Sequence, residues 1–412
     1  MKKRIIAGVL GLMCALLTFT ASAQDEFVFG LILVGPSTDR GWSQSHFEGG
    51  QYVEQNLSGS KMLVYESLNP ADSPNATLES VVTEMVGQGA KLIISTSDAF
   101  EIDTDAVAEK FPDVMFINAS GSNALAVKAD NLFGEAPAPV ATEEAMAALP
   151  ANIGNLMPKM EWEKLVAGCA AALTTQTGKI GYLGPLINAE TRRYTASSYL
   201  GAKHCWETYR GMEAGSLEFT VTWIGFWFNI PGVTLDPTEE VNAFYDNGAD
   251  VVISGIDTTE AVVVSGQRRA NGDNVWSVAY DNIAGCDDAP DACLGVPYYN
   301  WGPEYLKIAQ GVQDGSYVPT WNWVGPDWRN PETSMIGFLP GVALTDTTNL
   351  EAFRNEMLSF ARDNANAGSI FLWTGPLALQ DGTVLADDGI NVDPLKVWWL
   401  PQLLDGMVGK SE

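Results

Sequence analysis

The sequence has few basic residues and very few histidines. Lys and Arg together number 23 against 51 Asp and Glu, and the formal net charge is −28 at neutral pH. A chain with this charge repels the phosphates of nucleic acids and anionic lipid surfaces, so neither is expected as a partner. The two histidines, His46 and His204, do not stand at a ligand spacing from a cysteine pair. We therefore expect no zinc site.

Common catalytic motifs are also missing. The chain has no G-x-S-x-G elbow, no H-E-x-x-H motif and no phosphate-binding P-loop. A calcium loop is conceivable at the acidic residues 381–388, but a β-turn explains this segment as well and the EF-hand spacing is absent. The sequence therefore predicts neither an enzyme nor a metal or cofactor site.

The first residues have the pattern of a secretory signal. Three basic residues precede an apolar run over residues 5–19, and the small residues 21–23 follow. This pattern predicts a signal peptide over residues 1–23 that is removed before Gln24. The apolar run is shorter than a bilayer requires, and no later run reaches that length. We expect a monomeric periplasmic protein without membrane insertion after cleavage.

Four cysteines follow the predicted signal peptide, and an even number in an oxidising compartment favours disulfides. Cys286 and Cys293 bracket a short acidic loop, so we expect them to pair. Cys169 and Cys205 lie in consecutive predicted helices on either side of one strand. This second pairing is left open.

Strand-like apolar runs alternate with helix-like runs along most of the chain, beginning with a strand at residues 27–34 and a helix at 45–57. Strands that are separated by helices indicate a parallel, doubly wound sheet. Two successive sets of this kind flank a proline-containing segment at residues 134–140. The sequence therefore predicts an α/β protein with two lobes.

The loop after the first predicted strand carries an unusual combination of side chains. Residues 38–44 read Thr-Asp-Arg-Gly-Trp-Ser-Gln, which places Asp39, Trp42 and Ser43 between a strand and a helix. Ligands of open α/β sheets bind at such loops. An indole can stack on a flat ring, and an ionised carboxylate accepts hydrogen bonds from the N–H or O–H groups of that ring. The competing interpretation is a helix N-cap followed by a core Trp.

Polar residues also stand at the ends of later predicted strands. Asn118, Asp257 and Asp281 each follow an apolar run. Because the carboxyl ends of parallel strands meet at one sheet edge, we expect the two later carboxylates to face Asp39 across a cleft. Capping of a turn or a helix is the alternative role for each.

In their order and spacing, several segments resemble the basic membrane protein (BMP) family of solute-binding proteins, which includes purine-nucleoside receptors of ABC importers. The segments that carry this resemblance are residues 38–42, 91–97, 110–114, 164–168, 226–229, 300–303 and 373–376. The resemblance implies a type I periplasmic-binding fold, with two doubly wound lobes joined by three crossovers. It implies that lobe 1 comprises residues 24–134 and 301–333 and that lobe 2 comprises residues 135–300 and 334–412.

The resemblance also implies a ring held between aromatic side chains of both lobes. Trp42 occupies the stacking position of the first lobe and Trp227 that of the second, while Trp301 lies at a crossover and forms a third wall. Ser97 ends one of the matching segments. The family often has Phe where this chain has Trp42, and some members have Lys near the position of Trp301. These departures favour a free nucleobase, such as adenine or guanine, over a nucleoside.

The sequence thus predicts a periplasmic receptor that captures a purine and delivers it to an ABC permease. Asp39, Asp257 and Asp281 are expected to select a purine that carries an amino group, because carboxylates reward N–H donors. Two alternatives are a ligand sensor for a receptor kinase and, less favoured, an exported nucleoside hydrolase that uses the carboxylates.

Overall fold

The computed structural model describes residues 26–122, 124, 150–364 and 369–412, so the predicted signal peptide and the proline-containing segment at residues 134–140 lie outside the described residues. The first elements are β1 (Phe27–Ile32), α1 (Trp42–Asn56), β2 (Ser60–Tyr65), α2 (Leu78–Gly87), β3 (Ala90–Ser95), α3 (Glu101–Ala108), β4 (Met115–Asn118) and β5 (Ile153–Pro158). The next are α4 (Glu161–Thr174), β6 (Lys179–Gly184), α5 (Ala189–Thr208), β7 (Glu218–Trp223), α6 (Pro237–Asp246), β8 (Val251–Ser254), α7 (Glu260–Ala270) and β9 (Trp276–Val278). The last are β10 (Gly295–Tyr299), α8 (Gly302–Asp314), β11 (Trp321–Val324), β12 (Ile336–Pro340), α9 (Thr347–Asp363), β13 (Leu377–Ala378), β14 (Val384–Ala386), α10 (Pro394–Trp398) and β15 (Met407–Val408).

Two parallel sheets form the cores of two lobes. The first has the strand order β2-β1-β3-β4-β5-β11 and the second the order β7-β6-β8-β9, with β15 added beside β7. Each sheet therefore places its first strand between its second and third strands, which is the arrangement of a doubly wound sheet. The α/β fold with parallel sheets that the sequence predicts is confirmed.

Within the described ranges the chain passes between the lobes three times, after β5, after β10 and between β11 and β12. The lobe boundary expected at residue 134 needs correction, because β5 pairs with β4 in the first sheet, with Ile153 opposite Phe116. The first lobe therefore continues to Pro158. The sequence hides this strand, since its short apolar run contains Asn155 and ends in a proline, both of which are uncommon in strands.

Helices α4 and α5 form the tightly packed centre of the second lobe. A Cβ atom added at Gly168 would lie 1.8 Å from the carbonyl oxygen of Ser198, and one added at Gly201 would lie 2.0 Å from that of Leu165. The two backbones therefore approach to a distance that only glycine permits. The Cys169–Cys205 disulfide joins the same two helices, and a second disulfide links Cys286 to Cys293. None of the helices described is long and apolar enough to cross a membrane.

Burial of Glu163 on α4 gives the stability of the fold a specific pH dependence. Its side chain is almost fully buried, and among the described residues its Oε2 atom has no hydrogen-bond partner. Burial raises the pKa of this carboxyl from 4.5 to about 7, with Arg354 acting in the opposite direction. Folding therefore favours the protonated form, so the stability that it contributes is present at acidic pH and is lost as the pH rises towards 7.

We predict that Glu163→Gln is more stable than the wild type at pH 8 and similar to it at pH 5. The amide resembles the protonated carboxyl and does not ionise, so the variant avoids a loss of roughly 3 kcal/mol. Urea unfolding at both pH values measures the difference. The matched control is Glu84→Gln, at an exposed position on α2. A constant difference between Glu163→Gln and the wild type across this pH range would contradict the prediction.

Candidate functional site

The carboxyl ends of both sheets open into one cavity between the lobes. Each lobe supplies half of its lining. The first lobe contributes Val34, Trp42, Ser97, Asp98 and Ser120, and the second contributes Glu190, Trp227, Asp257, Tyr280 and Asp281. All ten residues lie on loops after strands or at the starts of the helices that follow, as expected for ligand sites of open α/β sheets.

Five residues expected from the sequence line this cavity. They are Trp42, Ser97, Trp227, Asp257 and Asp281. The other four expected residues, Asp39, Ser43, Asn118 and Trp301, are not part of its lining, and the structure gives each of them a supporting contact instead.

Asp39 caps the start of α1. Its Oδ1 atom accepts hydrogen bonds from the backbone N–H groups of Gly41 (2.8 Å) and Gln44 (2.9 Å), and its Oδ2 atom accepts one from that of Ser43 (3.0 Å). The Ser43 hydroxyl in turn accepts from the backbone N–H of Gly35 at 3.0 Å. The competing interpretation of this loop therefore describes Asp39 correctly, since its oxygens satisfy the unpaired N–H groups of the helix start.

Trp42 lines the cavity, and contacts on the side away from the cavity hold its ring in place. Its Nε1–H donates to the carbonyl oxygen of Thr96 at 2.7 Å, and its ring meets Trp301 edge to face with the centroids 5.4 Å apart. Trp301 is fully buried and stacks on His46 at a centroid distance of 4.1 Å. Burial lowers the pKa of His46 well below its usual range, so this layer is uncharged at neutral pH. Trp301 thus supports the wall that Trp42 forms.

Asn118 holds the loop that follows β3. Its amide Nδ2–H donates to the carbonyl oxygen of Ser97 at 2.8 Å, and the residue is fully buried. Ser97 lines the cavity from the same loop. Asn118 therefore positions Ser97 without lining the cavity itself.

Asp257 and Asp281 form a carboxyl pair in the second lobe. Burial and the neighbouring Asp281 raise the pKa of Asp257 well above its usual range, and burial likewise raises the pKa of Asp281 despite the opposing charge of Lys164. Asp281 is fully buried, and neither of its carboxyl oxygens meets a donor in good hydrogen-bond geometry within the described residues. Its φ angle of 71° lies in the left-handed region, which is a strained conformation for a residue other than glycine.

Lys164 is the buried cation nearest to this pair. Its Nζ donates to the carbonyl oxygen of Ser254 at 3.0 Å and lies 3.1 Å from the centroid of the Tyr280 ring. Burial lowers the pKa of Lys164 well below its usual range, against the attraction of Asp281. The lysine thus supports the loop that carries Tyr280 and Asp281 from behind.

Asp98 and Glu190 form a second carboxyl pair, which the sequence interpretation missed. Asp98 belongs to the first lobe and accepts a hydrogen bond from the Asn188 side chain at 3.2 Å, while Glu190 belongs to the second and accepts one from the Ser120 hydroxyl at 2.8 Å. Burial raises the pKa of Glu190 to about 7, with Arg193 opposing this shift and Asp98 adding to it. The rule that selected Asp257 applies to Asp98 as well, because Asp98 follows strand β3.

Contacts outside the cavity show that the lobes are closed. The Ser45 hydroxyl on α1 donates to the backbone carbonyl of Asp281 at 3.0 Å, and Arg40 forms an ion pair with Asp288. Gly41 lies so close to the second lobe that an added Cβ would be 1.6 Å from the carbonyl oxygen of Asp257. Closure of two lobes around a cleft is a common motion of binding proteins.

Metal binding receives no support from the described residues. They contain no group of three or more His, Cys, Asp or Glu side chains that could hold a metal ion. The candidate calcium loop is a turn between β13 and β14. In this turn the Asp381 carboxylate accepts from the backbone N–H of Thr383 at 2.8 Å and from the Gln402 amide at 3.1 Å.

Two doubly wound lobes that close over a cavity lined from both sides define the type I periplasmic-binding fold. The family model Bmp, described as ABC transporter substrate-binding protein PnrA-like, matches residues 27–221. Over these residues the chain is similar to this family of ABC transporter substrate-binding proteins. Members of the family are periplasmic or extracellular, and they bind small molecules and a permease. The family model is described as a substrate-binding protein, and both curated relatives reported below are named as binding proteins.

Individual relatives agree with this class. A purine-binding protein of Brucella abortus is 28% identical over 389 residues, which cover 94% of each chain. A protein of Haloferax volcanii, named as a candidate ABC transporter glucose-binding protein, is 25% identical over 81% of this chain and 72% of its own. Among solved structures, an ABC transporter solute-binding protein from Conexibacter woesei has a TM-score of 0.56 at 17% identity and covers 81% of this chain and 97% of its own. This structural likeness confirms the fold.

Proposed function

We propose that the protein is a periplasmic receptor that binds a purine base between its lobes and presents it to an ABC permease. The observation that carries the proposal is one cavity between the lobes that combines an indole from each lobe with buried carboxyl groups. Flat faces and polar edges of this kind suit a flat aromatic ring with N–H groups at its rim. The purine-binding relative from Brucella, which matches 94% of the chain, supports the same ligand class.

The two indoles supply stacking surfaces. Trp42 is fixed through its Nε1–H and has little freedom to turn. Trp227 is tied to the carboxyl pair, because its backbone carbonyl accepts from the backbone N–H of Asp257 at 2.9 Å. In the proposed complex they lie on opposite faces of the ring, and each contact contributes about 0.5–1.5 kcal/mol beyond the burial of area.

The carboxyl pair supplies the edge contacts. Two buried carboxyl groups that repel each other favour a shared proton. The expectation that Asp257 and Asp281 act only as acceptors is therefore revised. A protonated carboxyl presents a donor beside an acceptor, and it can pair with a ring nitrogen and an adjacent N–H at the edge of a purine.

A sugar is the competing ligand, because the Haloferax relative is named for glucose. Each sugar hydroxyl both donates and accepts, so a sugar site needs donors as well as carboxylates. The two buried cations near this cavity are already engaged, Lys164 with the Ser254 carbonyl and Arg193 with Glu161 at 2.5 Å. The supply of donors is therefore small, which favours the purine.

We predict that a purine base raises the thermal unfolding midpoint and that glucose does not. Thermal-shift measurements with adenine, guanine, adenosine and glucose test the ligand class directly. Mass spectrometry of small molecules released from the purified, denatured protein gives an independent answer. Stabilisation by glucose without stabilisation by any purine would assign the cavity to sugars instead.

Trp227→Ala should weaken adenine binding at least fivefold, because it removes one stacking face and the apolar area that this face buries. Trp227 lies on a half-buried loop, so the fold should remain intact. Calorimetric titration with adenine measures the change. Trp227→Phe keeps an aromatic face and serves as the matched control, with most of the affinity retained. Equal affinities for wild type and Trp227→Ala would rule out the stacking role.

Gly41→Ala should weaken adenine binding at least tenfold by preventing full closure. Its Cβ atom would collide with the backbone of Asp257, as the distance of 1.6 Å shows. The control is Gly87→Ala on α2, where an added Cβ meets nothing within 4 Å. Both variants should retain the circular dichroism spectrum of the wild type. Unchanged adenine affinity in Gly41→Ala would show that binding does not need the closed arrangement.

A further inference from the structure

Asp98 and Glu190 reach the cavity from opposite lobes, and each accepts a hydrogen bond from a side chain of the other lobe. Asn188 of the second lobe donates to Asp98, and Ser120 of the first lobe donates to Glu190. Glu190 is only 8% exposed. Closure therefore brings these two carboxyl groups together, whereas opening separates them.

The positive charge near this pair is insufficient to neutralise it. Arg193 donates from Nε to Glu161 at 2.5 Å, while its terminal nitrogen is 3.8 Å from the Glu190 carboxyl. One guanidinium thus serves two glutamates. Lys164, a second buried cation near the cavity, lies beside Asp281 of the Asp257–Asp281 pair. The titratable and charged groups around the cavity are Asp39, Asp98, Glu161, Lys164, Glu190, Arg193, Tyr194, Asp257, Tyr280, Asp281 and Tyr299.

A second observation indicates that a ligand completes this arrangement. Asp281 is fully buried and lines the cavity, and among the described residues no donor meets its carboxyl oxygens in good hydrogen-bond geometry, although the nearby Tyr280 hydroxyl lowers its pKa. An unpaired buried carboxyl is costly, and a donor from a ligand removes that cost. The closed cavity is therefore short of donor groups as well as of positive charge.

We propose that Asp98 and Glu190 form a ligand-sensing pair whose repulsion keeps the empty receptor open, and that an N–H donor of the ligand between them permits closure. Asp98 and Glu190 would then decide which ligands are enclosed, because a ring without a donor at this edge leaves the repulsion in place. The proposal rests on the proposed function for the donor, which would be an amino or ring N–H group of the purine. The repulsion itself is a property of the empty protein.

A proton can take the place of the ligand donor. A carboxyl group that is more buried in the closed than in the open form has the higher pKa in the closed form, so closure takes up a proton. For Glu190 the closed-state pKa of about 7 compares with an ordinary value of 4.5. Closure of the empty receptor should therefore become easier as the pH falls from about 7 towards 4.5.

Small-angle X-ray scattering of the ligand-free protein at pH 8 and pH 5 tests the proposal. We expect the radius of gyration of the wild type to exceed the value calculated for this closed structure at pH 8 and to fall towards it at pH 5. Asp98→Asn and Glu190→Gln should each be compact at both pH values, because a single amide abolishes the repulsion. Asp103→Asn, at an exposed position on α3, is the matched control and should behave as the wild type does.

A wild-type protein that is already compact without ligand at pH 8 would overturn the proposal. So would two folded variants that remain as open as the wild type, with folding verified by their thermal unfolding. Since the measurement uses no ligand, failure of purine binding in the thermal-shift panel leaves its outcome unaffected. With adenine added at pH 8, the wild type should contract, whereas the two variants should contract no further.

Discussion

The central constraint on this molecule is that closing its lobes gathers carboxyl groups in a space with too little positive charge to balance them. Asp257 and Asp281 approach from adjacent strands of one sheet, and Asp98 meets Glu190 from the opposite lobe. Burying an ion without a partner is costly, so the carboxyl groups shift towards their neutral forms or acquire a donor. In the proposed mechanism, this arrangement makes closure of the ligand-free protein unfavourable and favours closure around a ligand that carries N–H groups. In the mechanism that we propose, recognition and domain motion therefore share one electrostatic cause.

The two lobes divide the work of binding. The first lobe offers a pre-organised apolar wall, in which Trp42 is fixed by the Thr96 carbonyl and supported by the uncharged layer of His46 and Trp301. The second lobe contributes most of the cavity's carboxyl groups and the strained loop of Asp281. A rigid stacking face loses little conformational entropy when the ring of the proposed purine ligand binds. Specificity then depends on the lobe that closes over it.

The alternation of strands and helices was sufficient to predict the fold, and the position of residues at strand ends was sufficient to find Trp42, Asp257 and Asp281. The same rule placed Asp39 in the site, because sequence does not reveal whether an Asp after a strand turns back to cap a helix. Trp301 was assigned to the cavity because it lies at a predicted crossover between the lobes, although its distance from the cavity surface depends on tertiary packing. Glu190 was missed because it follows a strand only after a loop and begins a helix, where acidic residues are common for electrostatic reasons.

The family match explains the scaffold better than it explains the ligand. It covers residues 27–221 and so includes the first-lobe residues that line the cavity and Glu190, but it ends before Trp227, Asp257 and Asp281. Two relatives of similar identity, 28% and 25%, are named for a purine and for glucose. One fold can carry sites for different solutes, because the ligand is selected by the particular side chains that line the cleft. In our proposal, the hydrogen-bond donors available around Asp257 and Asp281 therefore determine whether the cavity binds a purine or a sugar.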